Sequence, residues 1–317
     1  MVIGGEVECW KSCCAGATAP LHGITDAVDV SVGRNHACVL HVSGRVSCWG
    51  ENRYGQLGNR AAADPSDLPV EVTGLEDAVY LEVGTDGSCV VRADARVACW
   101  GRNTYGQLGD GSTDDRFVAT PVFGLSDAVA VATGPTHTCA VRSAGDVWCW
   151  GENRYGQLGD GSMSTTSLEP VRVAGLDDAV GVAVYTDISG AVRRAGEVVL
   201  WGNFEIEVVR RLTPTPLEGV SDAASVELGL EHGCFLRRDG TVGCWGNNRE
   251  GQLGDGTYDV SIGPRPVVDL VGVAEIAVGP VHACALHATG VSCWGAISRP
   301  PLAEESTPRP LPIDGIR

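Results

Sequence analysis

The chain has 317 residues, of which 44% are apolar and only 6% aromatic, with 43 glycines and a formal net charge of −17. Such acidity excludes a binder of the nucleic-acid phosphate backbone, which needs a basic face, and it serves solubility. No run of about eighteen apolar residues occurs, so no membrane-spanning helix is expected.

In chain order, residues 1–26 hold only the back half of a unit that later recurs: a strand Val7-Glu8-Cys9-Trp10, then Pro20-Leu21 and a turn at Gly23. The first full unit begins at Asp26. Its first strand is AVDVSVG (27–33), its central hairpin HACVLHVSGRVSCWG (36–50) and its outer strand PVEVTGL (69–75). Apolar alternation with period 2 around a glycine turn predicts a β-hairpin. Full repeats run over about 26–75, 77–125, 127–176, 178–220, 222–273 and 274–317, and the fourth has lost the glycine-rich loop that follows the hairpin. Trp-Gly closes the second hairpin strand at Trp49, Trp100, Trp150, Trp201, Trp245 and Trp294. A recurrence of about 50 residues built from short strands predicts an all-β fold, a β-propeller with one four-stranded blade per repeat. Six front halves and seven back halves favour a single domain over 1–317 on a seven-blade plan with one incomplete blade. Six blades plus an N-terminal appendage is the alternative.

Of the 13 cysteines, ten fall one on each strand of five hairpins: Cys38 and Cys48, Cys89 and Cys99, Cys139 and Cys149, Cys234 and Cys244, Cys284 and Cys293. Opposed positions on antiparallel strands bring Cβ atoms within about 5 Å, close enough to bridge. In the fourth hairpin Gly190 and Leu200 replace both cysteines together, as expected for disulfides rather than independent thiols. Each short loop so closed contributes at most about 2–3 kcal/mol. Five such bonds imply an oxidising compartment, placing the protein outside the cell, in a periplasm or on a surface. The start MVIGGEVECW shows no basic region followed by an apolar run, so either the chain is a mature or truncated form or it is cytoplasmic with reduced thiols; the first is favoured. Cys9, Cys13 and Cys14 are left over, in the incomplete unit.

The run C-W-G-x-N-x-x-G-Q-L-G-D-G, preceded by G-x-x-H-x-C and followed by G-L-x-D-A-V, resembles the repeat of the regulator of chromosome condensation family. Its best copies are Cys99–Gly111, Cys149–Gly161 and Cys244–Gly256. The resemblance implies a seven-bladed β-propeller, and the cysteine-rich version is similar to bacterial extracellular members. Functions in the family range over nucleotide exchange on a small nuclear GTPase, ultraviolet-B reception in plants and β-lactamase inhibition. What they share is a propeller face that binds another protein. Photoreception needs clustered tryptophans flanked by arginines, whereas this chain has one tryptophan per blade plus Trp148.

His36, His137, His232 and His282 share one repeat position. They lie too far apart around a propeller to ligate one metal ion, and bonding to backbone within their own blade is expected. The periodic tryptophans are expected to pack between blades. Trp148 has only small counterparts (Ser47, Ala98, Val199, Gly243, Ser292), so it is a candidate contact residue. The Gly-Gln-Leu-Gly loops at 55–58, 106–109, 156–159 and 251–254 lack the lysine of a phosphate loop and the carboxylates of a calcium loop. Just before the glycines, Arg53, Tyr54, Tyr105, Arg154 and Tyr155 form a candidate partner-binding sector, of the residue types that dominate interface hot spots. Variable insertions follow these loops, at 59–68, 112–120, 162–169 and 257–265, where specificity is expected to reside. No nucleophile, base and carboxylate arrangement and no metal-ligand spacing is found. The sequence therefore predicts a non-enzymatic scaffold without cofactor or metal that binds an unidentified protein and neither nucleic acid nor a membrane core. An exchange-factor-like regulator of a small GTPase and a propeller enzyme with a channel site are the alternatives.

Overall fold

The computed structural model describes residues 2–9, 19–20, 24–61, 63–204, 209–299 and 303–313. Trp10, Cys13, Cys14, Leu21 and Gly23 lie outside the described residues. The architecture is an all-β propeller of six four-stranded blades. Their first and last strands are Ala27–Val32 and Ser66–Glu71, Ala78–Val83 and Arg116–Pro121, Ala128–Thr133 and Thr166–Arg172, Ala179–Tyr185 and Val209–Pro216, Ala223–Leu228 and Ser261–Pro266, and Val273–Val278 and Ala303–Pro312. Within every blade the four strands pair in sequence order, as successive antiparallel hairpins. The favoured count of seven is corrected to six. Among the described residues the half repeat supplies Val2–Ile3, Glu6–Cys9 and Ala19–Pro20, a short three-stranded sheet, so it is the N-terminal appendage of the alternative plan.

The chain divides into two compact units, one of residues 1–154 and 160–177, the other of 155–159 and 178–317. In the first, Trp49 packs with Val7, Ile24, Ala27, Ala37 and Val39, so the N-terminal sheet covers the open side of blade one. Trp100 closes a cluster drawn from blades one and two, and Trp150 one from blades two and three. In the second unit Trp245 closes the cluster of blades four and five, and Trp294 that of blades five and six. Each fully buried indole removes on the order of 200 Å² from water, so these joints are the main apolar stabilisation.

The residue after each tryptophan must be glycine for a local reason. Third and fourth strands of each blade slip register there, between Cys48 and Gly50 in blade one and at the equivalent place in the others. This bulge holds Gly50 at φ 108°, where a Cβ would lie 2.4 Å from the Asn35 carbonyl oxygen.

The hairpin register places the cysteines directly opposite one another, Cys38 on Cys48, Cys89 on Cys99, Cys139 on Cys149, Cys234 on Cys244 and Cys284 on Cys293. All five pairs are joined sulfur to sulfur, with Cα atoms 4.0 to 4.1 Å apart. In blade four Gly190 opposes Leu200, and a Cβ on Gly190 would meet Leu200 Cδ2 at 3.0 Å. One side chain there fills the space that two sulfurs take elsewhere.

Candidate functional site

Each glycine-rich loop is built from the inside by two buried amides. Asn103 Oδ1 accepts the Leu108 N–H at 2.9 Å, and Gln107 Oε1 accepts the Tyr105 N–H at 2.9 Å. The same pairs recur at Asn52–Leu57 with Gln56–Tyr54, and at Asn248–Leu253 with Gln252–Glu250. Gln157 Oε1 accepts the Tyr155 N–H in the third loop. The backbone N–H groups of Gly55, Gly58, Gly106 and Gly109 are likewise taken by carbonyls of their own loops. They are therefore not free to cradle a phosphate. Among the described residues no group of three His, Cys, Asp or Glu side chains is placed to hold a metal ion.

These loops also fasten the next blade. The indole N–H of Trp100 donates to the Gln56 carbonyl, that of Trp150 to Gln107, that of Trp201 to Gln157 and that of Trp294 to Gln252, all at 2.8 to 2.9 Å. The last glycine of each loop lies against that indole; on Gly109 a Cβ would sit 2.6 Å from Trp150 Nε1.

With Asn and Gln turned inward, the residues between them point out. Arg53 is exposed and Tyr54 half-buried, with the Arg53 and Arg102 guanidinium carbons 5.4 and 5.0 Å from the tyrosine ring centre. Arg102, absent from the candidate set, also pairs with Asp86 at 3.3 Å. The structure thus brings Arg53 and Tyr54 together and adds Arg102 to them. Tyr105 is half-buried on its own loop, while Arg154 is exposed and 3.5 Å from Glu152. Tyr155, in the second unit, is half-buried with the Arg210 guanidinium 5.0 Å from its ring centre.

Trp148 stands apart from the loops. It lies just after the 143–146 turn, at the opposite end of blade three, half-buried among charged groups. Its indole N–H donates to Asp146 Oδ2 at 2.7 Å, Arg142 lies 5.6 Å from its ring centre, and Asp146 also pairs with Arg142 at 3.2 Å. Burial pushes the Asp146 carboxyl up, but the Trp148 N–H and Arg142 outweigh it and hold the group below the usual carboxylate range.

The same end carries a repeated pair that sequence reasoning missed. Asp26 meets His41, Asp77 Arg92, Asp127 Arg142, Asp178 Arg193 and Asp222 Arg237, always 15 residues apart. The D-A-V motif and that constant offset were the available signal. Blade six has Gly272 at the aspartate position, and its His287 bonds Ser292 and Thr289 instead.

His36 acts between blades, not within its own as expected. His36 Nε2 and Ser88 Oγ of the next blade hydrogen-bond at 2.9 Å, and burial drives the imidazole pKa down to about 3. Opposite His232 the equivalent of Ser88 is Ala283, which has no hydroxyl, so His232 lacks the bond that His36 makes to the next blade. Burial, with His282 nearby, lowers His232 to about 4.

Two family models described as the regulator of chromosome condensation (RCC1) repeat match the chain, one at residues 43–91, 94–141, 144–192 and 239–286, the other at 27–56, 79–107, 128–157 and 223–252. The chain is 34% identical over 93 residues to the probable E3 ubiquitin-protein ligase HERC4 of Homo sapiens, across 29% of this chain and 9% of that one. It is 35% identical over 107 residues to the regulator of chromosome condensation of Drosophila melanogaster, across 33% of this chain and 19% of that one. Among solved structures it resembles human WBSCR16 with a TM-score of 0.82 at 22% identity, covering 93% of this chain and 84% of that one. Yeast RCC1 (Prp20), solved bound to Kap60, gives 0.78 at 20% identity, covering 91% and 75%. The expectation of a non-enzyme is corrected by the ligase relatives, which are enzymes. The match to HERC4 spans only 9% of that chain, so the ligase activity is stated of that protein alone. Repeats matching over more than half its length show that the chain belongs to the regulator of chromosome condensation (RCC1) repeat family.

Proposed function

We propose that this propeller binds a protein partner through the loop end of its first unit, centred on Arg53, Tyr54 and Arg102, with Tyr105 and Arg154 on neighbouring loops. The observation that carries the reading is the half-buried Tyr54 flanked by two guanidinium groups. An amphipathic ring held still by its neighbours loses little entropy on binding, and such Tyr and Arg anchors dominate interfaces. Arg53 has no ion pair among the described residues. On a chain of net charge −17 an exposed unpaired arginine favours a carboxylate offered by the partner. Tyr155 with Arg210 repeats the arrangement in the second unit, and Trp148 is a separate contact residue at the hairpin end. The five cysteine pairs support work in an oxidising compartment, outside the cell or in a periplasm.

The test compares partners captured from native fluid by the wild-type chain, Arg53→Glu, Tyr54→Ala and, as control, Val42→Thr on an exposed turn. A partner of this surface binds wild type and control alike and loses about thirtyfold in affinity to Tyr54→Ala, as a hot spot does. Equal capture by Arg53→Glu and Tyr54→Ala, with their circular dichroism unchanged, overturns the reading.

A further inference from the structure

Only two repeats carry an arginine at the first turn residue of the central hairpin, and they are neighbours. Arg194 in blade four and Arg238 in blade five stand where the others have Val42, Ala93, Ser143 and Ala288. The repeat plan therefore asks for no charge at this position. Both arginines are exposed, at the hairpin end of the second unit. Backbone bonds lock the two turns side by side. The Gly196 carbonyl of the first turn accepts the Ala223 N–H at 2.9 Å, and the Asp222 carbonyl, one residue earlier, accepts the Arg238 N–H of the second turn at 3.0 Å. Arg238 then reaches back across the joint, and its Nη2 donates to the Arg194 carbonyl at 2.8 Å.

The Arg238 guanidinium is thus pinned on the backbone of the very residue that carries the other one. Among the described residues neither arginine is in an ion pair, and the Arg194 side chain makes no hydrogen bond. The carboxylates of the two turns are already committed. Asp178 pairs with Arg193 at 2.7 Å, Glu197 with the same arginine at 3.7 Å, and Asp222 with Arg237. Asp239 accepts the Thr241 N–H at 2.9 Å and its hydroxyl at 2.7 Å. Two like charges held together with no counter-charge of their own repel each other, and they are complementary to an anion that both can reach. Planar guanidinium groups suit carboxylates in particular, which accept two parallel N–H bonds.

We propose that the Arg194 and Arg238 turns are a docking site for a short acidic segment of a protein partner, which presents neighbouring carboxylates to the two guanidinium groups. The charge of the whole chain defines the length of the occupant. At a net −17 it repels a long polyanion such as a nucleic acid, whereas a segment of a few residues meets only the two turns. Arg238 is already held by one nitrogen, so it loses little freedom when the segment binds. The site is independent of the Arg53 and Tyr54 surface, which lies in the first unit.

The probe is the capped synthetic peptide GEEEEG, titrated at low ionic strength into the full chain carrying ¹⁵N-labelled arginine. The Arg194 and Arg238 Nε–H signals are assigned by their loss in Arg194→Gln and Arg238→Gln. The expected result is that both signals shift together and saturate at millimolar peptide. Each substitution weakens the affinity about fivefold, the loss of one exposed ion pair, with the circular dichroism unchanged. The peptide GQQQQG gives no shift, and Arg53→Gln leaves the titration of these two signals as it was. Signals that stay put at millimolar GEEEEG, or that move equally with GQQQQG, overturn the proposal. So does an equally tight response to inorganic phosphate or to a thymidine hexanucleotide, which would make the site one for any oxyanion. The comparison of probes needs no altered protein to fold.

Discussion

Changing Trp150 to phenylalanine, and separately Trp245 to phenylalanine, deletes the same indole N–H from two equivalent joints. Both side chains are fully buried, and both keep a ring in an interblade cluster, so the lost apolar area is common to the two. The polar consequences differ in sign. At Trp150 the change removes a 2.9 Å bond to the Gln107 carbonyl, which still accepts from Thr138. That costs about 1 kcal/mol. At Trp245 it removes a donor that had no acceptor, relieving a burial penalty of about 1–3 kcal/mol. Trp150→Phe is therefore expected to be less stable than Trp245→Phe by about 2–4 kcal/mol. Urea unfolding followed by circular dichroism measures the difference, provided the two slopes agree. Midpoints that place the two variants within about 0.5 kcal/mol of each other would refute the joint as described.

Gly109→Ala should destabilise more than Gly124→Ala by about 1–3 kcal/mol: both have positive φ, but only the first Cβ strikes an indole; thermal unfolding of the pair decides it. His36 is neutral when folded because burial lowers its pKa from 6.5 to about 3. The unfolded chain therefore binds the extra proton, and stability is full above pH 6.5 and falls by up to about 1.4 kcal/mol per pH unit below it, until the folded imidazole charges. His36→Gln should flatten that acid limb in pH-dependent unfolding; an unchanged slope would mean that His36 is not buried as described. Removing one bridge with Cys139→Ala and Cys149→Ala should cost about 2–3 kcal/mol, by freeing a short loop in the unfolded chain. The variant built as Cys139→Gly with Cys149→Leu, copying blade four, should recover part of it in the same denaturant assay.

Period and register within a blade were legible because they are local. Alternation fixes which side chains share a face, and a glycine turn fixes which residues oppose, so Cys139 falls on Cys149 by counting alone. The number of blades was less so. Seven back halves suggested seven blades, yet among the described residues the first back half forms a short three-stranded sheet against Trp49. Contacts between blades were the least legible, since they depend on how neighbouring sheets face each other. The link from His36 to Ser88 spans 52 residues, and Arg102 joins Tyr54 from the next blade. Trp148 looked exposed because its counterparts are small; no single repeat shows the Arg142 and Asp146 groups that close around it.

Since each loop secures a tryptophan 42 to 44 residues further on, damage to a Gly-Gln-Leu-Gly segment is felt downstream of where it occurs. A map of harmful substitutions along this chain should therefore show loop lesions weakening amide protection in the following sheet rather than in their own. Trp245 interrupts the series. With no Gly-Gln-Leu-Gly motif in the fourth repeat, the start of the fifth sheet is the natural place for the second unit to begin fraying, a seam written into the sequence by an omission.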